Sequence, residues 1–399
     1  MPTLYMAWRG VDNDELLYWA VSFDGKWWSP QQVLSDRSSL SAPALAVFKD
    51  KLFMAWRGDG DDNLWWATYD GNAELKWSKQ SPLRDRGSAV GPALGLFQDR
   101  LYMAWRGVQD AGHDDDILYW AAYDPENPFR WTPQRPLGDR GSQAEPALAA
   151  FQDQFFMAWR GVTGDENLYW ATFDPNDPRG WTDQHRLDDR ASAEGPALAV
   201  FQNKLYMVWR GVGGENSDDS LYWATYDENN PRKWTDQTVM ATLGGDQAGP
   251  IVVGSVKRPS VAAFQNSLFV AGVGLNIHST TGVPEPGASQ GLVDWTKNDP
   301  NQQPQGPDPE GPAHPPPLEP KGLFYVAFDG NMPTLPVMAF TNRASEARVA
   351  QTVFDSIPLS LRNLMLKHGF DPSKGINEFL REVSPGARRP LPLRPLVGF

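Results

Sequence analysis

Short apolar runs, broken by Gly, Asp, Asn and Pro, recur along most of the chain. In one stretch Pro43-Ala44-Leu45-Ala46-Val47-Phe48 leads into a tight turn at Lys49-Asp50-Lys51, and a second run over 52–57 ends at Gly58. An acidic loop, Asp59-Gly60-Asp61-Asp62-Asn63, separates it from Leu64-Trp65-Trp66-Ala67-Thr68-Tyr69, after which Asp70-Gly71 turns the chain toward a last strand around Trp77. Runs this short, with these punctuating residues, have the spacing of β-hairpins and are too short for helices. The four predicted strands are named A to D. Strand A is small and apolar throughout, and its copies begin at Pro43, Pro92, Pro146, Pro196 and Pro259. Proline is tolerated at a strand's first residue, where no ladder donor is lost. Strands B and C are apolar on both faces, as expected of sheets sandwiched between neighbours.

The unit repeats. Trp8-Arg9-Gly10, Trp56-Arg57-Gly58, Trp105-Arg106-Gly107, Trp159-Arg160-Gly161 and Trp209-Arg210-Gly211 close five B strands, at steps of 48, 49, 54 and 50 residues. Sheets of four strands repeated at this period predict an all-β protein, a β-propeller. Six four-stranded blades are expected, with seven as the alternative. The sixth unit, 259–264, 268–274, 275–278 and 292–295, has Gly272 and Val273 where the others have Trp and Arg. The chain starts inside a B strand, so 323–328 is expected to return and close the first blade. Met332-Pro333-Thr334-Leu335, an echo of Met1-Pro2-Thr3-Leu4, supports the seven-unit alternative. The resulting division is a propeller over 1–296, a Pro-rich linker over 297–321, ring-closing strands over 322–340 and a small helical, Pro-rich segment over 341–399. Helical spacing within that segment covers 342–354, 358–368 and 371–382.

Composition narrows the function. Of 399 residues 41% are hydrophobic and 21% charged, which permits a large core. A net charge of −13 argues against a nucleic-acid partner, because phosphate binding needs clustered Lys and Arg. The absence of cysteine removes disulfides, thiolate metal sites and a Cys nucleophile. Neither a signal peptide nor a run of 18 apolar residues is present, so the expectation is a soluble, cytoplasmic chain without a membrane span, with export by another route left open. Oligomeric state is not legible.

Neighbouring residues in a strand face opposite ways. Trp8 therefore shares a face with Leu4 and Met6, and Arg9 with Tyr5 and Ala7. Trp belongs to the packed side, while Arg reaches the rim at the end where the B–C and D–A loops gather. The B–C loops are acidic, and the D–A connections carry Asp36-Arg37, Asp85-Arg86, Asp139-Arg140 and Asp189-Arg190. One reading is structural: each guanidinium pairs with a carboxylate, and each indole packs. The other is sugar binding in grooves between blades, with donors from Arg9, Arg57, Arg106, Arg160 and Arg210. Acceptors would come from Asp36, Asp85, Asp139 and Asp189, and stacking platforms from Trp19, Trp66, Trp120, Trp170 and Trp223.

The tenor of Leu17-Tyr18 through Asp24-Gly25 to Trp28, in tandem units of about fifty residues, resembles bacterial and fungal β-propeller lectins. The six-bladed fucose-binding, tectonin-like and insect-pathogen lectins are similar in style over roughly residues 1–300. The resemblance implies a multivalent carbohydrate-binding protein whose partners are glycans or glycoconjugates. Trp-Arg-Gly does not map onto that family's binding residues. Ser22-Phe23-Asp24-Gly25-Lys26-Trp27-Trp28 also comes near the Asp-box of sialidase propellers, but Asp and Gly are adjacent in it.

No catalytic residue, metal ligand or cofactor is expected from the sequence. The loop 59–63 is oxygen-rich but lacks EF-hand spacing, so Ca²⁺ is the minority reading. The five histidines form no zinc-ligand spacing. Two alternatives to a lectin stand: an enzyme (a glycosidase, or a small-molecule lyase or cyclase) with one site near the axis and His278 in the divergent unit, or a protein-interaction scaffold.

Overall fold

The computed structural model describes residues 2–10, 13–25, 28–70, 76–108, 116–212, 219–242, 251–273, 276–279, 323–328, 338–341 and 346–352. These residues form strands and no helix. In chain order the first are β1 (Thr3–Arg9), β2 (Leu16–Ser22), β3 (Gln32–Ser38), β4 (Ala44–Phe48), β5 (Lys51–Arg57), β6 (Asn63–Thr68) and β7 (Ser81–Gly87). Then come β8 (Ala93–Phe97), β9 (Arg100–Arg106), β10 (Ile117–Ala122), β11 (Arg135–Gly141), β12 (Ala147–Phe151), β13 (Gln154–Arg160), β14 (Asn167–Thr172) and β15 (His185–Ala191). The rest are β16 (Ala197–Phe201), β17 (Lys204–Arg210), β18 (Leu221–Thr225), β19 (Thr238–Val239), β20 (Ala241–Thr242), β21 (Ile251–Gly254), β22 (Ser260–Phe264), β23 (Ser267–Val273), β24 (Asn276–Ser279), β25 (Leu323–Phe328), β26 (Met338–Thr341) and β27 (Glu346–Thr352).

They pair into six antiparallel four-stranded sheets: β27-β1-β2-β3, β4 to β7, β8 to β11, β12 to β15, β16 to β19, and β22-β23-β25-β26. The inner strands β27, β4, β8, β12, β16 and β22 neighbour one another in a closed ring, which makes the molecule a β-propeller. Five sheets are the Trp-Arg-Gly copies, and the sixth is the divergent unit.

Each blade buries both faces against its neighbours. Leu4, Met6 and Trp8 pack on the sixth blade, while Tyr5 and Ala7 pack with Trp19 against Leu52, Met54 and Trp56 of the second. The same alternation builds every interface, so the core is six inter-blade layers and the strand parity read from the sequence is the one observed. The A–B hairpins turn through two residues with positive φ, Lys49-Asp50, Gln98-Asp99, Gln152-Asp153 and Gln202-Asn203, the conformation a two-residue hairpin requires.

Four expectations need correction. The D strand does not lie at Trp77, which makes only a single bridge to Tyr69; the outer strand is β7, so Asp85-Arg86 and its equivalents sit on strand D and not in the loop after it. Such strands carry one buried Leu among polar residues, which hides them from a periodicity search. The strand closing the first blade is β27, whose residues 346–352 lie inside the expected helix 342–354; 323–328 instead pairs with β23 in the sixth blade. Pairing with β1, which would otherwise be an unpaired inner edge, outweighs helix propensity. Finally, β24 leaves the sixth blade and joins β20 and β21 in a three-stranded sheet. The linker, the echo at 332–335 and the helices expected over 358–368 and 371–382 lie outside the described residues.

Candidate functional site

The B–C and D–A loops share one end of the propeller and are hydrogen-bonded together: Ser39 N to Glu15 O, Ser88 N to Asp62 O, Ser142 N to Asp116 O, Ser192 N to Glu166 O and Ser255 N to Asp219 O, all 2.8 Å. Into this end project the five Trp-Arg-Gly arginines. Arg57 donates to Asp62 at 2.6 Å and to the Ala89 carbonyl at 2.9 Å. Arg106 pairs with Asp116 and Arg210 with Asp219. Arg160 donates to the Ser192 carbonyl at 2.7 Å and lies 3.5 Å from Glu166, and Arg9 lies 3.8 Å from Glu15. Each arginine thus takes a carboxylate from its own hairpin, and Arg57 and Arg160 also brace the loop that leads to the next blade.

The acidic loops hold a word missed in the sequence: two acids, one residue, Leu, then an aromatic. Asp14-Glu15 precedes Tyr18, Asp61-Asp62 precedes Trp65, and Asp165-Glu166 precedes Tyr169. The second acid takes the arginine. The first takes the polar tip of the aromatic four residues on, with Tyr18 OH donating to Asp14 at 2.7 Å, Trp65 Nε1 to Asp61 at 3.2 Å and Tyr169 OH to Asp165 at 2.5 Å. Burial and this bond push the Tyr169 phenol up to about 12. Asp165 is held below the usual carboxylate range, burial being outweighed by Tyr169 and Asn167. Tyr18, Trp65, Tyr119, Tyr169 and Tyr222 are half-buried at this rim, and Tyr18, Tyr119, Tyr169 and Tyr222 stack on the Trp-Arg-Gly indole of their own blade.

The remaining sequence-predicted residues are placed elsewhere. Trp19, Trp120 and Trp170 are buried between blades, against Tyr69 and Trp77, Phe173 and Trp181, and Tyr226 and Trp234 respectively. Trp66 and Trp223 are half-buried, Trp66 packing on Tyr123 and Trp131. Asp36, Asp85, Asp139 and Asp189 each hold the following arginine by two bonds. Those arginines, Arg37, Arg86, Arg140 and Arg190, lie 5.5–5.7 Å over Trp56, Trp105, Trp159 and Trp209 of the next blade. Each also donates at 3.1 Å to a carbonyl there, of Ser78, Thr132, Thr182 or Thr235. Asp-Arg is therefore an inter-blade latch. The arginine, indole and aspartate expected to share one groove are held in three separate contacts.

One group at this end is not repeated. Two and three residues after the Ser that opens each D–A loop, the fourth, fifth and sixth blades are entered past Glu145, Glu194, Lys257 and Arg258, where the second and third have Ser41, Ala42, Val90 and Gly91. Burial and the neighbouring Glu145 push the Glu194 carboxyl above its ordinary value, against the opposing pull of Lys257, Arg210 and Arg160. Arg258 reaches the starts of the two preceding blades, donating through Nε to the Gly195 and Pro196 carbonyls at 3.1 and 2.9 Å and through Nη2 to Pro146 O at 3.1 Å and to Pro196 O. Glycine makes room for this reach: a Cβ on Gly195 would stand 3.0 Å from Arg258 Nε and collide with the Glu145 carbonyl.

The sequence matches no protein-family model and no curated protein. Similar solved structures include the phage phi92 endosialidase, 12% identical with a TM-score of 0.49 over 78% of this chain and 68% of that one. A triple arginine-to-alanine variant of AofleA from Arthrobotrys oligospora is 9% identical, TM-score 0.45, over 86% and 83%. An exo-β-1,3-galactanase from Phanerochaete chrysosporium, solved with β-1,3-galactotriose, is 10% identical, TM-score 0.40; the match covers 60% of this chain and spans 58% of the galactanase. These are likenesses of fold alone. Among the described residues no helix is long and apolar enough to cross a membrane, and no group of three or more His, Asp or Glu is placed to hold a metal ion.

Proposed function

We propose that the protein binds carbohydrate at the loop end of the propeller, through several near-equivalent rim units. The observation that carries this reading is the repeated association of a half-buried aromatic, an acid doublet and an arginine on one hairpin, seen in full at Asp14-Glu15, Asp61-Asp62 and Asp165-Glu166. Pairing does not exhaust these groups. Asp62 and Glu166 are about half exposed, leaving acceptor oxygens beside guanidinium donors and an aromatic edge, the combination a pyranose with hydroxyls and an apolar face requires. The stacking platforms are then Tyr18, Trp65, Tyr119, Tyr169 and Tyr222 in place of Trp19, Trp66, Trp120, Trp170 and Trp223. A single site of millimolar affinity is worth only about 4 kcal/mol, and simultaneous engagement of several can add a factor of about 10²–10⁴.

Glycan-array binding followed by calorimetric titration tests it. Trp65→Ala should remove one site from the stoichiometry and leave the others unchanged. An array without hits, together with no heat at millimolar monosaccharide, would sink the reading.

A second reading, an enzyme with one axial site, is favoured by Glu194: a half-buried carboxyl raised by burial beside a second carboxylate is suited to hold and donate a proton. In that case Glu194→Gln should abolish glycoside hydrolysis while rim variants retain it.

A further inference from the structure

From the second blade to the fifth, each latch aspartate meets the C–D loop of the next blade in the same way. Those three loops close with the same backbone bonds, Asp124 N to Arg130 O, Asp174 N to Gly180 O and Asp227 N to Lys233 O, at 2.8, 3.0 and 2.9 Å. The latch carbonyls just after them, of Thr132, Thr182 and Thr235, are equivalent too. At two of these seams the loop sends an arginine back to the aspartate: Arg179 Nη1 donates to Asp139 Oδ2 at 2.6 Å, and Arg232 Nη1 donates to Asp189 Oδ2. Each of those oxygens thus accepts from two guanidiniums, the latch's and the loop's. At the seam between the second and third blades the equivalent loop residue is Phe129. Among the described residues Asp85 Oδ2 accepts only from Arg86, at 2.6 Å. A phenyl ring is shorter than an arginine and carries no donor, so the second seat on this carboxylate is left open. Solvent reaches it: the Asp85 side chain is 40% exposed, and Phe129, at 57%, is the most exposed large apolar residue among those described. Leu75, the equivalent at the first seam, lies outside the described residues.

We propose that this seam binds an external organic cation, its ammonium on the Asp85 carboxylate and its apolar face on Phe129, and that the cation is an amino sugar. The sugar half rests on the carbohydrate reading above; the cation half does not. The two sister seams show what the carboxylate takes at this place, a cation in addition to its own latch. The third blade has also lost the second acid found there: exposed Pro133 stands where Asp183 and Asp236 meet Arg179 and Arg232. The place is anionic on the Asp85 side and apolar on the side of Phe129 and Pro133, which suits a pyranose bearing one ammonium, and an aromatic face adds to the hold on a cation. Burial raises the Asp85 carboxyl, but the Arg86 hydrogen bonds and charge outweigh it and hold it below its ordinary value. The carboxylate therefore stays ionised in mildly acidic buffer, where a sugar amine is protonated. A net charge of −13 draws cations toward the surface. The seat lies at the other end of strand C from the rim units and is made once among the three seams, so it differs from them in place, number and chemistry.

Titration calorimetry in mildly acidic buffer with glucosamine, glucose and acetyl-arginine amide tests both halves. Glucosamine should show one site more than glucose, which should bind there at least about tenfold more weakly, the worth of a hydrogen bond to a charged group. Added salt should weaken that site. Phe129→Arg installs the residue of the sister seams, fills the seat from within the chain, and should abolish the extra site while sparing the rim. Phe129→Ala should weaken it about fivefold, through loss of the aromatic face. A Phe129→Arg variant that binds glucosamine as wild type does, or glucosamine and glucose binding alike, overturns the proposal. If Phe129→Arg does not fold, Phe129→Ala decides, and unchanged glucosamine binding refutes the seat. Acetyl-arginine amide binding at the Phe129-dependent site more tightly than glucosamine overturns the sugar half and assigns the seat to an arginine of a protein partner. Glucose binding at the rim with no extra glucosamine site would fail this inference alone. A Phe129-dependent glucosamine site without any binding of neutral glycans would fail the rim reading alone.

Discussion

Removing either half of an Asp-Arg latch should destabilise the propeller, and the two halves should not cost the same. Consider Asp139-Arg140. The Arg140 side chain is fully buried; it makes two bonds to Asp139 at 3.0 and 2.9 Å, one to the Thr182 carbonyl at 3.1 Å, and lies 5.7 Å over Trp159. Asp139 is 36% exposed and has a second partner in Arg179 at 2.6 Å. Arg140→Met keeps the aliphatic stem over the indole and leaves behind an aspartate that water and Arg179 still solvate. The loss is then about 1 kcal/mol for the half-exposed pair, about 1 kcal/mol for the stranded carbonyl and about 0.5–1 kcal/mol for the cation–π contact, some 2–3 kcal/mol together. Asp139→Asn strands the buried partner instead, and an uncompensated buried guanidinium costs about 3–5 kcal/mol. Urea unfolding with unchanged slopes reads both values. Arg140→Met costing more than Asp139→Asn, or both falling within experimental error of wild type, would refute the latch. Acid adds an independent check. The Arg140 hydrogen bonds hold the Asp139 carboxyl below its ordinary value; at Asp85 and Asp189 burial pushes the other way and is outweighed by Arg86 and Arg190. A carboxyl lowered by folding contributes stability above its unfolded pKa, about 3.9, and loses it as pH falls through the folded value. Wild-type stability should therefore decline below about pH 4, and Arg140→Met should decline less steeply there.

Three further perturbations test the axial end and the closure. Gly195→Ala places a Cβ against the Glu145 carbonyl and should cost about 1–3 kcal/mol in thermal or urea unfolding, as overpacking does, whereas Gly138→Ala, with nothing within 4 Å, should be tolerated. Glu194 has the opposite sign to the latch aspartates: its raised pKa means stability is full below the unfolded value and lost as pH rises through the folded one. Glu194→Gln should accordingly raise the melting temperature at pH 7, with the gain vanishing near pH 4. A chain ending at residue 345 lacks β27 and leaves Thr3–Arg9 as an unpaired inner edge; light scattering should show association, and the unfolding transition should broaden or split.

The repeated parts were legible because repetition averages out local ambiguity. Five copies of Trp-Arg-Gly fixed the parity that places Trp8 and its equivalents in the core, fully buried. The outer strands escaped notice because Ser81–Gly87 buries only Leu83 and Arg86 and otherwise reads as a polar loop. In 346–352, Glu, Ala, Arg and Gln favour a helix taken alone, and only the hydrogen-bonding edge of Thr3–Arg9, more than three hundred residues away, makes it a strand. The acid doublet was visible in five loops, but sequence alone could not separate a solvated turn from one acid on an arginine and the other on an aromatic tip. The axial group was invisible for a different reason. Glu145, Glu194 and Arg258 belong to three loops about fifty to sixty residues apart in sequence, each is written once, and only ring closure brings them to one mouth.

That distribution has a mechanical counterpart. Latches fasten the first blade to the second and so on through the fifth, using the indole of each succeeding Trp-Arg-Gly as their seat. The sixth blade has Gly272 and Val273 there, so no indole is available and its junctions rest on apolar layers: Val261, Leu268 and Val270 toward the fifth blade, and Phe264, Phe269 and Val273 toward the first. Arg258, from the same blade, supplies the missing polar fastening by reaching carbonyls of two other blades at the axis. A latch arginine brings its own aspartate with it, whereas Arg258 is held by the backbone carbonyls of Pro146, Gly195 and Pro196. Loss of the repeat in one blade thus accounts for both a weakened seam and a buried guanidinium held by backbone carbonyls in place of an aspartate.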